Sequence, residues 1–414
     1  MMRRRLCALL AVPCLALAAL AGLWAWSGSY VGTLAASAPY VDYLSTREVA
    51  SLEFVRASLA GRRALGNDTR LVFGTSELYP GGKGPAHPVA LLRGRAHGID
   101  VMPVGRAYCE SLWQAVELGA LAPDVLSTGD DRVVVFLSMQ WFMPSRNTAA
   151  DLSTSFSQGA LDALMASDTI SDEVKARVRA RLAAYGTIAE GEDNPVFGAA
   201  SAVDGAARGA QGRVRLALEL ASGGPSNGMA GQTDAEVTAA AGDGGGAEPN
   251  WDSLISEGRA LAEADSTSND AGYADAVWTS GEYDRFLAAS RRWRPFPSGG
   301  LFSEQEFGDF QLLLDVCQEA GLRPLVVIQA NKGWAYDQTA YDGPVREGFR
   351  DRVEAMCADA GVEVADFSAY DDDLLFCRDA SHPSALGSAY YSRCIYRWFT
   401  EGVVDTGVPP GGAA

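Results

Sequence analysis

Arg70-Leu71-Val72-Phe73-Gly74-Thr75-Ser76-Glu77-Leu78 is the stretch on which the reading of this chain turns. A short apolar run stopped by a glycine reads as a buried strand, Arg70–Phe73, that ends in a tight turn. Four other segments have the same character: Asp100–Val104, Arg132–Leu137, Pro324–Ile328 and Val362–Phe367. Amphipathic helical patterns accompany them. Cys109–Leu121 follows the second strand, Glu304–Ala320 precedes the fourth, Val345–Ala360 joins the fourth to the fifth, and Ser384–Phe399 closes the domain. Strands alternating with helices imply an α/β fold, a parallel sheet covered on both faces. In open sheets of this kind a site forms beyond the C-terminal ends of the strands. Ser76, Gly105 and Ser138 to Trp141 each lie just past one of the first three strands and are expected to converge there.

Around this core the chain adds a long insertion, residues 144–300, between the third and fourth strands. It holds a charged helix, Asp172–Tyr185, with Arg177, Arg179 and Arg181. It also holds a low-complexity stretch, 223–248, whose Gly, Ala, Ser and Asp content is too poor in apolar surface to order itself. The aromatic group after Trp251 (Tyr273, Trp278, Tyr283, Phe286, Trp293, Phe296) reads as core rather than as a ligand platform, and the Pro/Gly-rich tail Val408–Ala414 as frayed.

Residues 1–5 carry three arginines, and residues 6–26 follow as about twenty uncharged, mostly apolar residues, long enough for a transmembrane helix. The positive-inside rule then puts residues 1–5 in the cytoplasm and residues 27–414 outside, with Trp24 and Trp26 at the outer interface. A cleaved signal peptide is the competing reading, but its apolar core usually spans only about 7–15 residues. The expectation is a single-pass cell-membrane protein with an extracellular catalytic domain. Net charge is −18, which excludes nucleic acid as a partner and leaves an anionic polymer dependent on local basic groups. The cysteines show no zinc-like spacing, and neither a metal nor a cofactor is implied. Cys109, Cys317, Cys357, Cys377 and Cys394 read as buried thiols, with one or two disulfides among the last four as the alternative.

Asp379-Ala380-Ser381-His382 supplies the second half of the chemistry. Taken alone, Ser76 is a turn serine that caps the next helix. With Asp379 and His382 it becomes a nucleophile with a base and a group that orients the base. The chain has three histidines. His87 and His97 lack a carboxylate three residues before them and are left as substrate contacts. Gly105, through its backbone N–H, and Gln140, through its amide, are candidate oxyanion donors beside the Ser76 N–H.

The order of these residues resembles the SGNH hydrolases, whose blocks carry a nucleophile Ser, a Gly, an Asn and a C-terminal Asp-x-x-His; Gln140 stands where the Asn is usual. The DltD family, the membrane-anchored D-alanyl-lipoteichoic acid biosynthesis proteins, is a closer match. Gly74-Thr75-Ser76-Glu77 looks like its Gly-Ser-Ser-Glu block, Ser138-Met139-Gln140-Trp141-Phe142 like its Ser-Pro-Gln-Trp-Phe block, and Gln329 to Asp337 like its Pro-Val-Asn-Gly-x-Trp-Tyr-Asp block. Met139, Gln329 and Ser388 depart from the family pattern.

The resemblance implies an SGNH-type, flavodoxin-like three-layer sandwich and acyl transfer in the D-alanylation of teichoic acids. Ser76, Asp379 and His382 would be catalytic. Trp141, Asn331 and Trp334 would shape the pocket, and Lys83, Arg93, Arg95 and Arg106 would meet a polymer phosphate. A membrane acyltransferase and a D-alanyl carrier are the partners it implies. An esterase acting on a cell-wall polymer or carrier, and a scaffold that recruits a carrier protein, are the alternatives.

Overall fold

A computed structural model describes residues 2–144, 148–187, 246–297 and 299–407, with scattered residues between 207 and 237; side chains are described except at 2–13, 16, 17, 148 and 149. Of the stretch 223–248, only Gln232, Ala235, Val237 and residues 246–248 are described, and the tail 408–414 lies outside.

Five parallel strands, β1 (Thr69–Phe73), β2 (Asp100–Val104), β3 (Arg132–Leu137), β4 (Arg323–Ile328) and β5 (Glu363–Asp366), form one sheet in the order β2-β1-β3-β4-β5. β1 to β4 are apolar after their first one or two residues because both faces are covered there, and side chains alternate between those faces, while the edge strand β5 is Glu-Val-Ala-Asp. Leu71, Phe73, Val133, Val135, Leu137, Val326 and Ile328 enter one apolar cluster, while Val72, Val134, Phe136, Leu325 and Val327 enter the other.

The first face carries α1 (Met2–Ser37), α2 (Leu52–Ala64), α3 (Ser111–Leu126), α4 (Gln158–Met165), α5 (Asp172–Ala184), then, past α6 (Trp251–Ala264) and α7 (Glu282–Ser290), α8 (Glu304–Ala320) and α9 (Gly343–Asp359). Gly119 lets α3 lie close to its neighbours, since a Cβ there would meet Leu164 of α4 at 2.6 Å and Val316 of α8 at 3.2 Å. The charged α5 is tied to α8 by Arg181–Asp309 (2.6 Å) and Arg177–Asp315 (2.5 Å). The second face carries α10 (Ala385–Glu401), through Tyr391, Cys394, Ile395 and Trp398, with α6 packed on it. Gly258 of α6 sits where a Cβ would lie 2.7 Å from the Ala385 carbonyl oxygen. The expected three layers are therefore present. Cys109, Cys317, Cys357, Cys377 and Cys394 are all free and buried.

Residues 6–26, expected as the anchor, lie within α1, but the helix continues to Ser37. Val31 and Ala35, one turn apart, are buried against the body, so the end of α1 is a core element rather than a tether. Among the described residues no helix is long and apolar enough to cross a membrane.

One buried ion pair fixes the N-terminal edge of the sheet. Arg62 of α2 and Asp100 at the start of β2 are 1% and 0% exposed and 3.1 Å apart. Arg62 also donates to the carbonyls of Pro39 and Val101, and Asp100 accepts from Thr69 Oγ1 and the Gly94 N–H. Removing one partner leaves a buried charge without its counterion. Arg62→Met is expected to lower the free energy of unfolding by about 3–5 kcal/mol, read from the urea midpoint at neutral pH.

Candidate active site

Strand register builds the floor of the site. Phe73 is paired with Val104, so Gly74 and Gly105 leave the sheet side by side. Gly105 has φ +127°, and a Cβ on it would stand 2.1 Å from the Gly74 carbonyl oxygen, so only glycine fits. After Gly74 the chain turns sharply. The Glu77 carboxylate folds back to accept from the Thr75 N–H (2.5 Å) and the Thr75 hydroxyl (2.6 Å), and this turn sets Ser76 at the start of a 3₁₀ turn, Ser76–Leu78.

The second loop, 378–384, lies between β5 and α10. Asp379 Oδ1 accepts from the Ser381 N–H (2.9 Å) and the His382 N–H (2.8 Å), Arg378 N–H donates to the His382 carbonyl (2.9 Å), and Lys332 N–H donates to the Ala380 carbonyl (2.9 Å). Ser384 caps α10. Gly82 and Gly84, both at positive φ, bring the first loop against the second: a Cβ on Gly82 would meet Arg378 at 2.4 Å, and one on Gly84 would meet Ala385 Cβ at 2.6 Å. Arg378 also donates to the Gly81 carbonyl (3.0 Å).

These contacts place Ser76 Oγ 2.7 Å from His382 Nε2, and His382 Nδ1 2.9 Å and 3.0 Å from the two Asp379 oxygens. Burial alone would raise the Asp379 pKa; the His382 ring beside it and the N–H groups donated to it outweigh burial and hold the carboxyl well below the usual carboxylate range. A hydroxyl, an imidazole and a carboxylate in this sequence can pass a proton from oxygen to nitrogen while the ring keeps its orientation. They open on a cavity of about 490 Å³ lined by Tyr43, Ser76, Tyr79, Gly81, Lys83, Val277, Glu282, Arg378, Asp379 and His382.

The other expected site residues are distributed unevenly. Gln140 directs its amide N–H to the Tyr336 hydroxyl (2.9 Å), which fixes the amide and leaves its second N–H. Trp141 is buried in the first apolar cluster and does not line the cavity. Asn331 is buried and its N–H donates to Asp371 (2.7 Å). Trp334, 37% exposed, packs on Tyr283 with ring centroids 5.0 Å apart and planes tilted by 37°, in an aromatic group with Tyr273 and Trp278. Arg106 lies over the Tyr43 ring at 5.7 Å, next to the cavity.

Arg95 is not brought to the site. It donates to the Leu65 carbonyl, before β1, whereas Ser76 follows β1; a five-residue strand of about 17 Å separates the two ends. Arg93 pairs with Asp42 near that same end. His97 is half-buried and its Nδ1 is 2.8 Å from the Ala247 carbonyl oxygen.

Lys83, at the cavity wall, and His87 are both buried and engaged with backbone carbonyls. Lys83 Nζ donates to the carbonyls of Ser76 (2.9 Å) and Glu77 (3.0 Å), and His87 Nε2 is 2.8 Å from the Glu77 carbonyl while its Nδ1 caps the helix that starts at Pro88. Burial pushes the Lys83 pKa down to about 7 and that of His87 to about 3. Together they clamp the turn that carries Ser76. Tyr43, Tyr79 and Glu282 had no signal in the sequence and reach the site through tertiary packing, whereas Tyr336, which holds Gln140, lies in the Gln329–Asp337 block.

The DltD protein family model matches residues 50–400, which spans every strand of the sheet and both loops of the site. The chain belongs to the DltD family. Its similarity to Protein DltD of Bacillus subtilis (strain 168) is 32% identity over 102 residues, 24% of this chain and 26% of that protein. Protein DltD of Staphylococcus aureus (strain NCTC 8325 / PS 47) is 24% identical over 148 residues, 36% of each chain. These alignments thus cover well under half the length of either relative, while the family match covers the whole α/β body.

The buried Lys83 gives this DltD protein a measurable pH signature. The folded protein releases this proton near pH 7 and the unfolded chain near the ordinary value of 10.5. Between those values the unfolded state binds more protons, so stability rises with pH across the window. Lys83→Met is expected to remove that slope. Wild type then gains on the variant between pH 7 and 9 by up to about 1.4 kcal/mol per unit, read from urea unfolding of both proteins at several pH values.

Proposed function

We propose that this DltD protein is an extracytoplasmic serine acyltransferase or esterase of teichoic acid D-alanylation, and that Ser76, His382 and Asp379 carry the chemistry. The observation behind this reading is the 2.7 Å approach of Ser76 Oγ to a histidine held by a carboxylate, at the wall of a cavity. His382 Nε2 takes the Ser76 proton as Oγ attacks the carbonyl carbon of a D-alanyl ester or thioester. The Ser76 and Gly105 N–H groups and the Gln140 amide hold the oxyanion. Collapse breaks the bond to the leaving oxygen or sulfur, which receives the proton from His382. An acceptor hydroxyl, from polymer or water, then attacks the acyl-serine by the same steps in reverse. Ser76→Ala is expected to abolish both the D-alanyl-enzyme mass adduct and D-alanine release. Full D-alanylation by Ser76→Ala would instead favour a carrier-recruiting scaffold.

The basic groups we assign to a polymer phosphate differ from those first considered. Arg285, Arg291, Arg292 and Arg294 are exposed and have no carboxylate within ion-pair distance among the described residues, on an otherwise acidic protein. They sit on and just after α7, whose first residue, Glu282, lines the cavity. Reversing Arg291 and Arg292 to Glu is expected to slow transfer to a polyanionic acceptor about three- to tenfold at low salt and less at high salt. Turnover of a small ester by the same variant stays unchanged.

A further inference from the structure

We infer that Glu282 selects the acyl group, pairing its carboxylate with an ammonium carried next to the reacting carbonyl. This rests on the acyl-transfer reading above and adds a specificity residue to it. Of the charged side chains that line the cavity, all but one are engaged within the protein. Lys83 Nζ donates to the Ser76 and Glu77 carbonyls, Arg378 donates to the Gly81 carbonyl, and Asp379 and His382 hold each other. Glu282 faces the same cavity, is half-buried, and has neither a hydrogen bond nor an ion pair among the described residues.

Its position suits an anion that waits for a ligand. Glu282 is the first residue of α7, where the free N–H groups of the helix favour a carboxylate. Gly281, the N-cap, has φ +72° and supplies no side-chain cap. Partial burial and the Asp379 charge raise the Glu282 pKa, while His382, Arg285 and Arg378 act to lower it. Neither arginine comes within ion-pair distance of it among the described residues. Arg285 is directed to the Ser280 carbonyl and Arg378 to the Gly81 carbonyl. A half-buried carboxylate with no protein donor has lost part of its hydration, and a bound cation with N–H groups supplies what is missing. An aminoacyl ester brings such a group. Its ammonium nitrogen lies about 2.5 Å from the carbonyl carbon, by the standard N–Cα–C geometry, so acyl transfer at Ser76 carries the charge into the cavity that Glu282 faces. Val277 adds an apolar patch to the same wall.

The test compares a D-alanyl thioester with its D-lactyl counterpart, in which a hydroxyl replaces the ammonium, on the full-length protein as wild type, Glu282→Gln, Glu282→Asp and Ser76→Ala. Wild type is expected to prefer the D-alanyl thioester. Glu282→Gln is expected to lose about tenfold of that preference through KM, with D-lactyl turnover within twofold of wild type, which also shows that the variant is folded. Glu282→Asp is expected to recover part of the preference. Ser76-dependent turnover with the same D-alanyl to D-lactyl ratio in wild type and Glu282→Gln would overturn the assignment of Glu282 alone. No Ser76-dependent turnover of either thioester would overturn the acyl-transfer reading, and this inference with it.

Discussion

Two loops whose reacting residues stand 306 positions apart in the chain are pressed together by glycines, and the site depends on that approach. Gly84 lets the segment after Ser76 lie against Ala385 at a distance a side chain would forbid, and Gly82 takes a positive φ beside the Arg378 guanidinium. Gly105 does the same for the floor, where the Gly74 carbonyl passes over it. Each contact trades backbone entropy for proximity. In return, hydroxyl and imidazole reach hydrogen-bond distance. The sheet makes this possible because β1 and β3 are neighbours and β2 flanks β1, so the chain diverges at the strand ends where Ser76, Gly105 and Gln140 emerge.

Around the turn at Ser76 the protein buries groups that ordinarily face water. Lys83, His87 and Glu77 each direct polar atoms at this short segment: Glu77 ties down the Thr75 amide and hydroxyl, while Lys83 and His87 take the carbonyls of Ser76 and Glu77. Such a network is stable only if every member is satisfied. Its consequence is rigidity at the serine, which is what preorganised chemistry requires. The pKa values of Lys83 and His87 are depressed by the same burial, so both can hold the turn near neutral pH without bringing a full buried charge beside His382.

The strands were readable because a doubly covered parallel strand is an apolar run bounded by turn residues. β2 and β3 begin and end where the pattern places them, as does the helix Glu304–Ala320. Ser76, Asp379 and His382 were readable because they lie next to such boundaries. Arg95 illustrates the opposite case. It is close in sequence to the Gly105 block, but residues preceding a parallel strand lie at the end of the sheet away from those that follow it, so proximity along the chain misled. Lys83 and His87 were misread for a different reason. A lysine or histidine in a Gly/Pro-rich loop looks exposed, and only the packing of that loop on Arg378 and α10 buries it. Likewise the apolar run at the N-terminus gave the start of α1, while its continuation to Ser37 follows from Val31 and Ala35 finding a partner surface on the body.

The cavity has two origins with different physical demands. Ser76, His382 and Asp379 come from loops anchored at strand ends and at the start of α10, held by several backbone hydrogen bonds each. Val277 and Glu282 come from the insertion between β3 and β4, from two short helices joined at Gly281. Bond-making needs atoms fixed to within a fraction of an ångström, whereas recognition of a charge tolerates more movement. A rigid sheet edge suits the first and an inserted helical wall the second. On the proposed reading, a change on the inserted wall would therefore alter the choice of acyl group without disturbing the hydrogen bonds that align serine, histidine and aspartate. The exposed arginines that follow Glu282 belong to the same inserted segment, so on the function proposed above that one segment would meet the acyl group through Glu282 and a polymer chain through its arginines.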